Sequence, residues 1–383
     1  MMRNFCCRAL ITVAIAAVPS PVEGQEPWRL SYFPYLNSSP NDGVMGMARA
    51  IWFQQADYGE RTTLRRSLAI DAGISTHESW LARATYADPT IADGWRLHVV
   101  AEAGRQPRFG NEHDPIERER QLSQVEVTRR IVGPLHFAVR GGVRRDEFDG
   151  DVGTLIGRYP RTSFDLNSSF TRGNITQTDA TVRTALVLDL RDREFDVNRG
   201  VLAEVGVMAG SAGEGYEGVY GHLRGYVSPR PGTRVTARGA FRALSGTDAV
   251  AALHELPQWE SAVTTLGGHG SHRGFGEGQL VGRGLLLGGL EVRHDIINLG
   301  DFGAITALAF ADGGRVFSDI LPPLDITTGP RRSPGRLRLT TDDWEIGGGG
   351  GIAIRVLRSA TVTITAARGN GETRWYTGTG WSW

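Results

Sequence analysis

Residues 267–295 read GGHGSHRGFGEGQLVGRGLLLGGLEVRHD, and this stretch decides the fold. Its first part is glycine-dense and places Arg273 between His272 and the pair Gly274-Phe275. Its second part, residues 284–296, alternates in polarity. Side chains of a strand change face at every residue. One face therefore carries Leu286, Leu290, Val292 and His294, and the other carries Leu285, Leu287, Glu291 and Arg293. The pattern predicts a strand with an ionic pair opposite an apolar row.

Two classes of protein contain such strands. A soluble β-sandwich buries its apolar face and wets the other. A membrane barrel turns the apolar row towards lipid and the ions towards its lumen. The remainder of the chain has to decide between them.

The first residues of the 383-residue chain resemble an export signal. Arg3 and Arg8 precede a short apolar core from Ala9 to Val18, and small residues then lead to a plausible cleavage point after Gly24. That core is too short to span a bilayer as a helix. Cys6 and Cys7, the only cysteines, lie inside this segment. The mature chain, from about residue 25, is therefore expected to contain no disulfide and no thiolate metal site.

Composition narrows the classes further. The net charge is zero, which gives no electrostatic argument for nucleic acid. All 42 basic residues are arginine. The 51 glycines exceed the usual share of about 7%. No apolar run after the signal reaches helical membrane-spanning length, so a secreted or periplasmic β-protein and a β-barrel remain.

From Val44 onward the chain keeps a period of two. About sixteen strands are predicted, an even number within the range of bacterial barrels. They fall near 44–55, 62–74, 78–88, 93–104, 120–132, 135–147, 161–171, 177–190, 200–210, 216–228, 233–245, 284–296, 303–314, 344–357, 360–369 and 372–383. Residues 25–43 are expected to form a short periplasmic lead before a barrel domain of 44–383. Longer breaks are expected at 105–119, 246–283 and 315–342.

Strand length and the chain end favour the barrel. The predicted strands approach the ~10 residues needed to cross a bilayer obliquely, and they exceed the usual five or six. The chain ends in RWYTGTGWSW, with Tyr376, Gly378, Trp381 and Trp383. Terminal aromatics of this kind resemble the signal by which outer-membrane barrels are recognised for insertion, and tryptophan suits the aromatic girdle of a barrel.

Several motifs together resemble the bacterial surface antigen, or outer-membrane protein assembly factor, superfamily. That family has a long outer loop ending in Val-Arg-Gly-Phe/Tyr, followed by a strand with Gly-x-x-Glu-x-Arg. Arg273, Gly274, Phe275, Glu291 and Arg293 match, and His272 replaces the usual valine. Further matches are Asp189, Arg191 and Asp192 with the downstream Gly200, then Phe310 to Gly314, and the order of the last three strands. The resemblance covers roughly residues 44–383.

The resemblance implies an all-β transmembrane antiparallel barrel with the long loop folded into its lumen. It also implies that Arg273 meets Glu291 and Asp312 on the inner wall, an arrangement called here the latch. Parity agrees, because Asp312 shares a face with Phe310 while Ala311 faces the other way. A guanidinium can bind two carboxylates with fork geometry. The alternative is a solvated loop arginine beside acids that merely line a wet pore.

Other chemistry finds little support. His269, His272 and His294 with Asp295 suggest a metal cluster, but His294 is expected to face lipid, so no metal site is predicted. The chain contains no Gly-x-Ser-x-Gly elbow, phosphate-binding loop or His-Glu-x-x-His. We therefore predict no enzyme and no cofactor. Asp189, Arg191 and Asp192 are interpreted as a structured turn.

The resemblance implies insertion or translocation of proteins at the outer membrane, through a weakly paired seam between the first and last strands. Members of the family usually carry periplasmic substrate-binding domains (POTRA domains), and none is recognised in this sequence. The expected partners are outer-membrane lipids and client proteins, with a separate periplasmic protein as a further candidate. The alternative function is a stand-alone pore or structural barrel.

Overall fold

The computed structural model describes residues 27–57, 60–111, 114–150, 174–212, 214–246, 249–261, 264–317, 344–356 and 360–379. Within them, sixteen strands form one closed antiparallel barrel. Each strand pairs with its neighbours in the chain, and β1 meets β16 to close the sheet. The predicted fold class and strand number are confirmed.

The strands are long, and several exceed the length needed to cross a bilayer. Their bounds are β1 Arg29–Ser39, β2 Gly43–Gln55, β3 Leu64–Ser75, β4 Trp80–Ala92, β5 Trp95–Asn111, β6 Asp114–Val132, β7 Leu135–Asp149, β8 Ile175–Asp189, β9 Gly200–Ala212, β10 Glu214–Arg230, β11 Thr233–Ser245, β12 Gly284–Asn298, β13 Gly303–Phe317, β14 Glu345–Val356, β15 Ala360–Gly369 and β16 Glu372–Thr379. A four-residue helix, α1 (Val250–Leu253), and a 3₁₀ turn at Gly300–Phe302 are the described helical segments.

Alternation along each strand separates two surfaces. On β7, Arg140 and Arg144 are buried, whereas Val139 and Val143 are exposed. The same holds on β12, where Glu291 is buried and Leu290 is exposed. The outside is thus an apolar band and the inside is ionic, the arrangement of a barrel surrounded by lipid. No helix in the described part of the chain is long and apolar enough to cross a membrane.

The connections differ in length at the two ends of the barrel. Residues 150–174, 246–283 and 318–344 all follow odd-numbered strands, so these long connections leave the same end. Turns such as 133–134 and 231–232 lie at the opposite end, where β1 also begins. Outer-membrane barrels have short periplasmic turns and longer extracellular loops. We therefore take the end with the short turns as the periplasmic end.

Two predicted boundaries are wrong. Residues 29–39, expected in a periplasmic lead, form β1, which pairs with β2 along its whole length although it contains Pro34. The expected break at 105–119 is largely strand, since β5 and β6 continue to Asn111 and from Asp114 with charges on both faces. The predicted strand at 161–171, the export signal and the terminal Trp381 and Trp383 lie outside the described residues.

Candidate functional site in the barrel lumen

The connection between β11 and β12 lies against the inward faces of the strands. Most side chains of its described residues, 249–261 and 264–283, are buried. Phe275 anchors one half of this connection in an apolar cluster that includes inward residues of β12. The cluster contains Ala240, Leu256, Leu266, Phe275, Leu280, Leu285 and Leu287. The connection is therefore packed into the lumen, and we call residues 249–283 the inner loop.

Arg273 is fully buried and binds both acids that the sequence singled out. Its Nε donates to Asp312 Oδ2 at 2.8 Å, and its Nη2 donates to Asp312 Oδ1 at 3.0 Å. Its Nη1 donates to Glu291 Oε2. Its backbone N–H also reaches Asp312, at 3.1 Å. The guanidinium thus engages one carboxylate with both prongs and bridges to a second on the neighbouring strand.

Two further arginines and an aromatic ring surround this contact. Arg293 donates to Glu291 at 2.5 Å, and Arg238 Nη2 lies 3.5 Å from Asp312. The Arg273 guanidinium also stacks over the Phe310 ring, 3.4 Å from its centroid. Three arginines and two carboxylates therefore share one buried pocket, in which removal of Arg273 or of either carboxylate leaves a buried charged group without a bonded partner.

The backbone around Gly274 touches the last strands of the barrel. A Cβ on Gly369 would lie 2.7 Å from Gly274 Cα and a Cβ on Gly347 would lie 2.9 Å from it, so a side chain at either wall position would displace the inner loop. Arg374 Nη1 donates to Gly274 O at 2.6 Å. The Tyr376 hydroxyl lies 3.0 Å from the carbonyl oxygens of both Arg273 and Phe275. The inner loop is thereby fixed to β14, β15 and β16 as well as to β12 and β13.

A second charged contact holds the inner loop to the opposite wall. Glu255 lies 2.5 Å from Arg144 Nη1, 3.8 Å from Arg118 Nη2 and 3.7 Å from Arg183 Nη2. Burial alone would raise the pKa of Glu255, but these arginines hold it at about 2. The carboxylate is therefore ionised at neutral pH, and we call this group the Glu255 cluster.

Backbone and aromatic contacts extend the second attachment. Arg242 donates to the carbonyl oxygens of Ala252 at 2.6 Å and Leu253 at 3.1 Å. Arg140 Nη1 donates to Ser261 O at 2.6 Å, and Trp259 Nε1 donates to the Thr128 hydroxyl at 3.1 Å. These bonds satisfy carbonyl groups of an irregular segment that is buried away from water.

The tip of the inner loop reaches the periplasmic end. Arg96, at the start of β5, lies 2.7 Å from Glu260 of the inner loop and 2.8 Å from Glu194 of the β8–β9 turn. Asp196 of the same turn lies 3.1 Å from Arg355 on β14. The Arg96 guanidinium therefore links the inner loop, which enters the lumen from the opposite end of the barrel, to the β8–β9 turn at the periplasmic end.

The β8–β9 turn contains the predicted acidic motif. Arg191 donates to both oxygens of Asp189, at 2.9 and 3.0 Å, and its backbone N–H also reaches Asp189. Asp192 accepts from the backbone N–H of Asn198 at 3.0 Å. Gly200 has φ +121°, and a Cβ there would overlap the carbonyl oxygen of Leu190. These side chains bond their own segment, as in a structured turn.

Gly200→Ala is expected to destabilise the barrel by roughly 1–3 kcal/mol, because the new methyl adds a backbone overlap to an unfavourable φ. Gly133→Ala is the matched control, since Gly133 has φ +52° and nothing lies within 4 Å of the position that an alanine methyl would take there. Thermal unfolding in detergent measures both. Equal losses for the two variants would show that the overlap at Gly200 contributes nothing.

The three histidines do not converge. His294 is exposed on the outward face and contacts the Thr233 hydroxyl at 2.9 Å. His272 is buried and lies 2.9 Å from Glu345 O, and His269 stacks near Tyr376 with ring centroids 5.9 Å apart. In the described ranges, no group of three His, Cys, Asp or Glu side chains could hold a metal ion.

Several contacts escaped the sequence analysis. Glu255 has no local motif, and its arginine partners are distant in the chain. Arg374 and Tyr376 had a detectable signal, because their parity on β16 places them opposite Trp375 and therefore inside. The sequence suggested Tyr376 and Gly378 as part of an insertion signal. The structure places Tyr376 against the inner loop and Gly378 on β16, while the signal itself remains a prediction.

Comparison with known proteins fits this architecture. The Omp85 superfamily domain matches residues 66–358. BamA from Haemophilus ducreyi lacking POTRA domains 1-3 shares the fold with TM-score 0.58 and 13% identity, over 93% of this chain and 71% of that one. CdiB from Acinetobacter baumannii has TM-score 0.52 and 14% identity, over 93% of this chain and 60% of that one.

CdiB from Escherichia coli has TM-score 0.54 and 12% identity, over 92% of this chain and 63% of that one. The chain thus spans less than two thirds of either CdiB. No curated protein sequence matches it. The domain match covers well over half of the chain and includes the inner loop, the latch residues and the β8–β9 turn. The chain therefore belongs to the Omp85 superfamily, a family of outer-membrane β-barrels.

Proposed function

We propose that this barrel inserts or translocates proteins at the outer membrane by opening the seam between β1 and β16. The observation that carries the proposal is the sparse pairing between these two strands. Where described residues of both strands lie opposite each other, at positions 36–39 of β1 and 376–379 of β16, Ser38 with Thr377 is the single register pair, whereas β1 pairs with β2 at each of the same positions. A poorly paired strand edge can accept a strand from another chain.

Open space on the inner side of the seam supports an exit route. A cavity of about 560 Å³ is bounded by Ser38 and Asn37 of β1, by Thr377 and Tyr376 of β16, and by the inner loop around Gly268. Outside, the first strands form an apolar cleft between Leu36, Ile74 and Trp80. The seam is therefore one strand thick between a polar chamber and an apolar exterior, as lateral release of a polypeptide requires.

The latch and the Glu255 cluster give the inner loop its proposed role. They hold the loop on opposite walls, so the lumen stays filled while the seam opens or while a client approaches. This arrangement supports the assembly role over a stand-alone pore, because a pore would need the loop to leave both attachments. Client proteins and a separate periplasmic partner belong to the same proposal.

A disulfide across the seam tests it. Ser38→Cys with Thr377→Cys joins a register pair, and the other cysteines of the chain, Cys6 and Cys7, lie in the expected export signal. With the purified barrel in proteoliposomes, oxidation is expected to abolish assisted insertion of a small outer-membrane barrel, and reduction is expected to restore it. Covalent closure prevents the edges from separating.

Val207→Cys with Val219→Cys is the matched control, because it joins a register pair between two fully paired strands. This control is expected to retain activity in both redox states. Full activity of the oxidised seam variant would remove the seam from the mechanism. Steady conductance in planar bilayers that is the same for the oxidised and the reduced seam variant would favour the pore instead.

A further inference from the structure

We infer that Pro34 is the positioning residue that keeps the β1–β16 seam openable, an inference that rests on the proposed function. Pro34 lies in the middle of β1 and is in register with Ala48 of β2. Proline has no backbone N–H, so a strand that contains it lacks one donor on one edge. The question is which edge of β1 lacks it.

Hydrogen bonds of β2 answer this. The Val44 N–H donates to the Thr76 hydroxyl at 3.0 Å, and Val44 O accepts from the Thr76 N–H at 2.9 Å. Both polar groups of Val44 therefore point to the β3 side. Backbone groups alternate sides along a strand, so those of Ala48, four residues on, also point towards β3.

Register carries this direction across to β1. Residues directly opposite in an antiparallel pair either exchange both hydrogen bonds or exchange neither. Ala48 points away from β1, so its partner Pro34 points away from β2 and towards β16. By the same rule Ser38, the partner of Val44, also points towards β16, where Thr377 is its register partner.

The seam edge of β1 is thereby interrupted at a defined point. By the same parity, its donors are Leu30, Tyr32, Leu36 and Ser38, with none at Pro34. Residue 40, which follows β1, is again a proline. Between the two prolines, only Leu36 and Ser38 can donate to β16. The edge shared with β2 keeps its full ladder, so the loss falls on the seam alone.

Proline is confined to edge strands because inside a sheet it costs a ladder bond. Here the barrel is closed, yet β1 carries such a proline on the edge that is turned away from β2 and towards the seam. The seam is thus built with the chemistry of an edge. When β16 or a client segment pairs with this edge of β1, Pro34 supplies no donor. The backbone hydrogen bonds on its two sides therefore have to form separately.

Hydrogen exchange of the client-free barrel in detergent tests the inference. Pro34→Ala restores the donor, and the amides of Leu36 and Ser38 are expected to exchange roughly 2- to 10-fold more slowly, the effect of one added hydrogen bond on local opening. The yield of the disulfide between Ser38→Cys and Thr377→Cys is expected to rise in the same background, since the edges spend more time together.

Pro89→Ala is the matched control, because Pro89 lies within β4, at an irregularity in its pairing with β5 and away from the seam. It gives the same gain in unfolded-chain entropy and is expected to leave the β1 amides unchanged. Unchanged exchange in Pro34→Ala, or equal slowing in both variants, overturns the inference. Because no client is present, this result stands apart from any failure of insertion activity.

Discussion

Arg273→Ala is expected to release the inner loop from the C-terminal half of the barrel, at a cost of about 3 kcal/mol or more. The reason is that two buried carboxylates lose the side chain that neutralises them. Asp312 would lose its two-pronged side-chain partner and keep the bond from the backbone N–H of residue 273, and Glu291 would lose its bond from Arg273 and keep the one from Arg293. Such carboxylates cannot rehydrate where the loop packs over them, so the loop is expected to move and let water in. The barrel itself, paired along its strands, is expected to remain inserted.

Chymotrypsin digestion in detergent reads this directly, because Trp259 and Phe275 lie buried in the inner loop. Cleavage at Phe275 is expected to appear first in Arg273→Ala, because the Glu255 cluster still holds the segment around Trp259, and the melting temperature is expected to fall. The parent is expected to resist cleavage at both residues. Arg273→Lys keeps the charge but loses the fork, and an intermediate effect is expected. Arg145→Ala, which removes an exposed pair with Glu147, is the matched control. Unchanged digestion and melting in Arg273→Ala would show that the latch bears none of the loop's stability.

The period of two explains why the latch residues could be placed from sequence. Once Glu291 and Arg293 lay opposite an apolar row, their direction followed from the pleat, and Asp312 followed from its own strand. That Arg273 meets these two acids was implied by the resemblance to the assembly-factor superfamily, and the alternation agreed with it. The partners of Asp312 beyond Arg273, such as Arg238 on β11, depend on register across strands, which alternation alone does not give.

The first strand could not be predicted by the same rule. Residues 29–39 place aromatic side chains at consecutive positions and contain Pro34, so both alternation and ladder bonding fail there. Both departures belong to the strand at the seam, which has one register pair with β16 among the described residues. Residues 105–119 failed for a different reason. Above the apolar band both faces of a strand are wet, and Arg118 inside and Glu119 outside erase the contrast on which the period depends.

The Glu255 cluster was beyond any local pattern. Its members come from the inner loop, β6, β7 and β8, and only the closed barrel brings them together. Each arginine looked like one more charge in a watery lumen. The three arginines share one role only in the folded barrel, where the inner loop packs on this wall and brings Glu255 close to all of them.

Glu255→Gln is expected to loosen this second attachment by about 3 kcal/mol, since a neutral amide of the same shape leaves Arg118, Arg144 and Arg183 without their shared carboxylate. Asp146 and Asp179 still neutralise part of the charge, at 2.7 Å from Arg118 and 2.6 Å from Arg144. The mutual repulsion of three buried guanidinium groups is nevertheless expected to push α1 off the wall. Chymotrypsin cleavage at Trp259 is expected to appear before cleavage at Phe275, which the latch still holds.

The pH dependence separates this charge effect from lost packing. The pKa of Glu255 is about 2 in the folded barrel, against an ordinary 4.5. A depressed pKa contributes stability that is complete above the ordinary value and disappears as pH falls through the folded one. The melting temperatures of parent and Glu255→Gln are therefore expected to differ most above pH 4.5 and to converge towards pH 2. Glu147→Gln, in an exposed pair, supplies the control: it is expected to change the free energy of unfolding by less than about 0.5 kcal/mol, and the melting temperature correspondingly little, at any pH. If the difference in melting temperature between parent and Glu255→Gln stays constant down to about pH 2, packing and not charge holds the loop at this site. The arginines around Glu255 would then not contribute to the attachment.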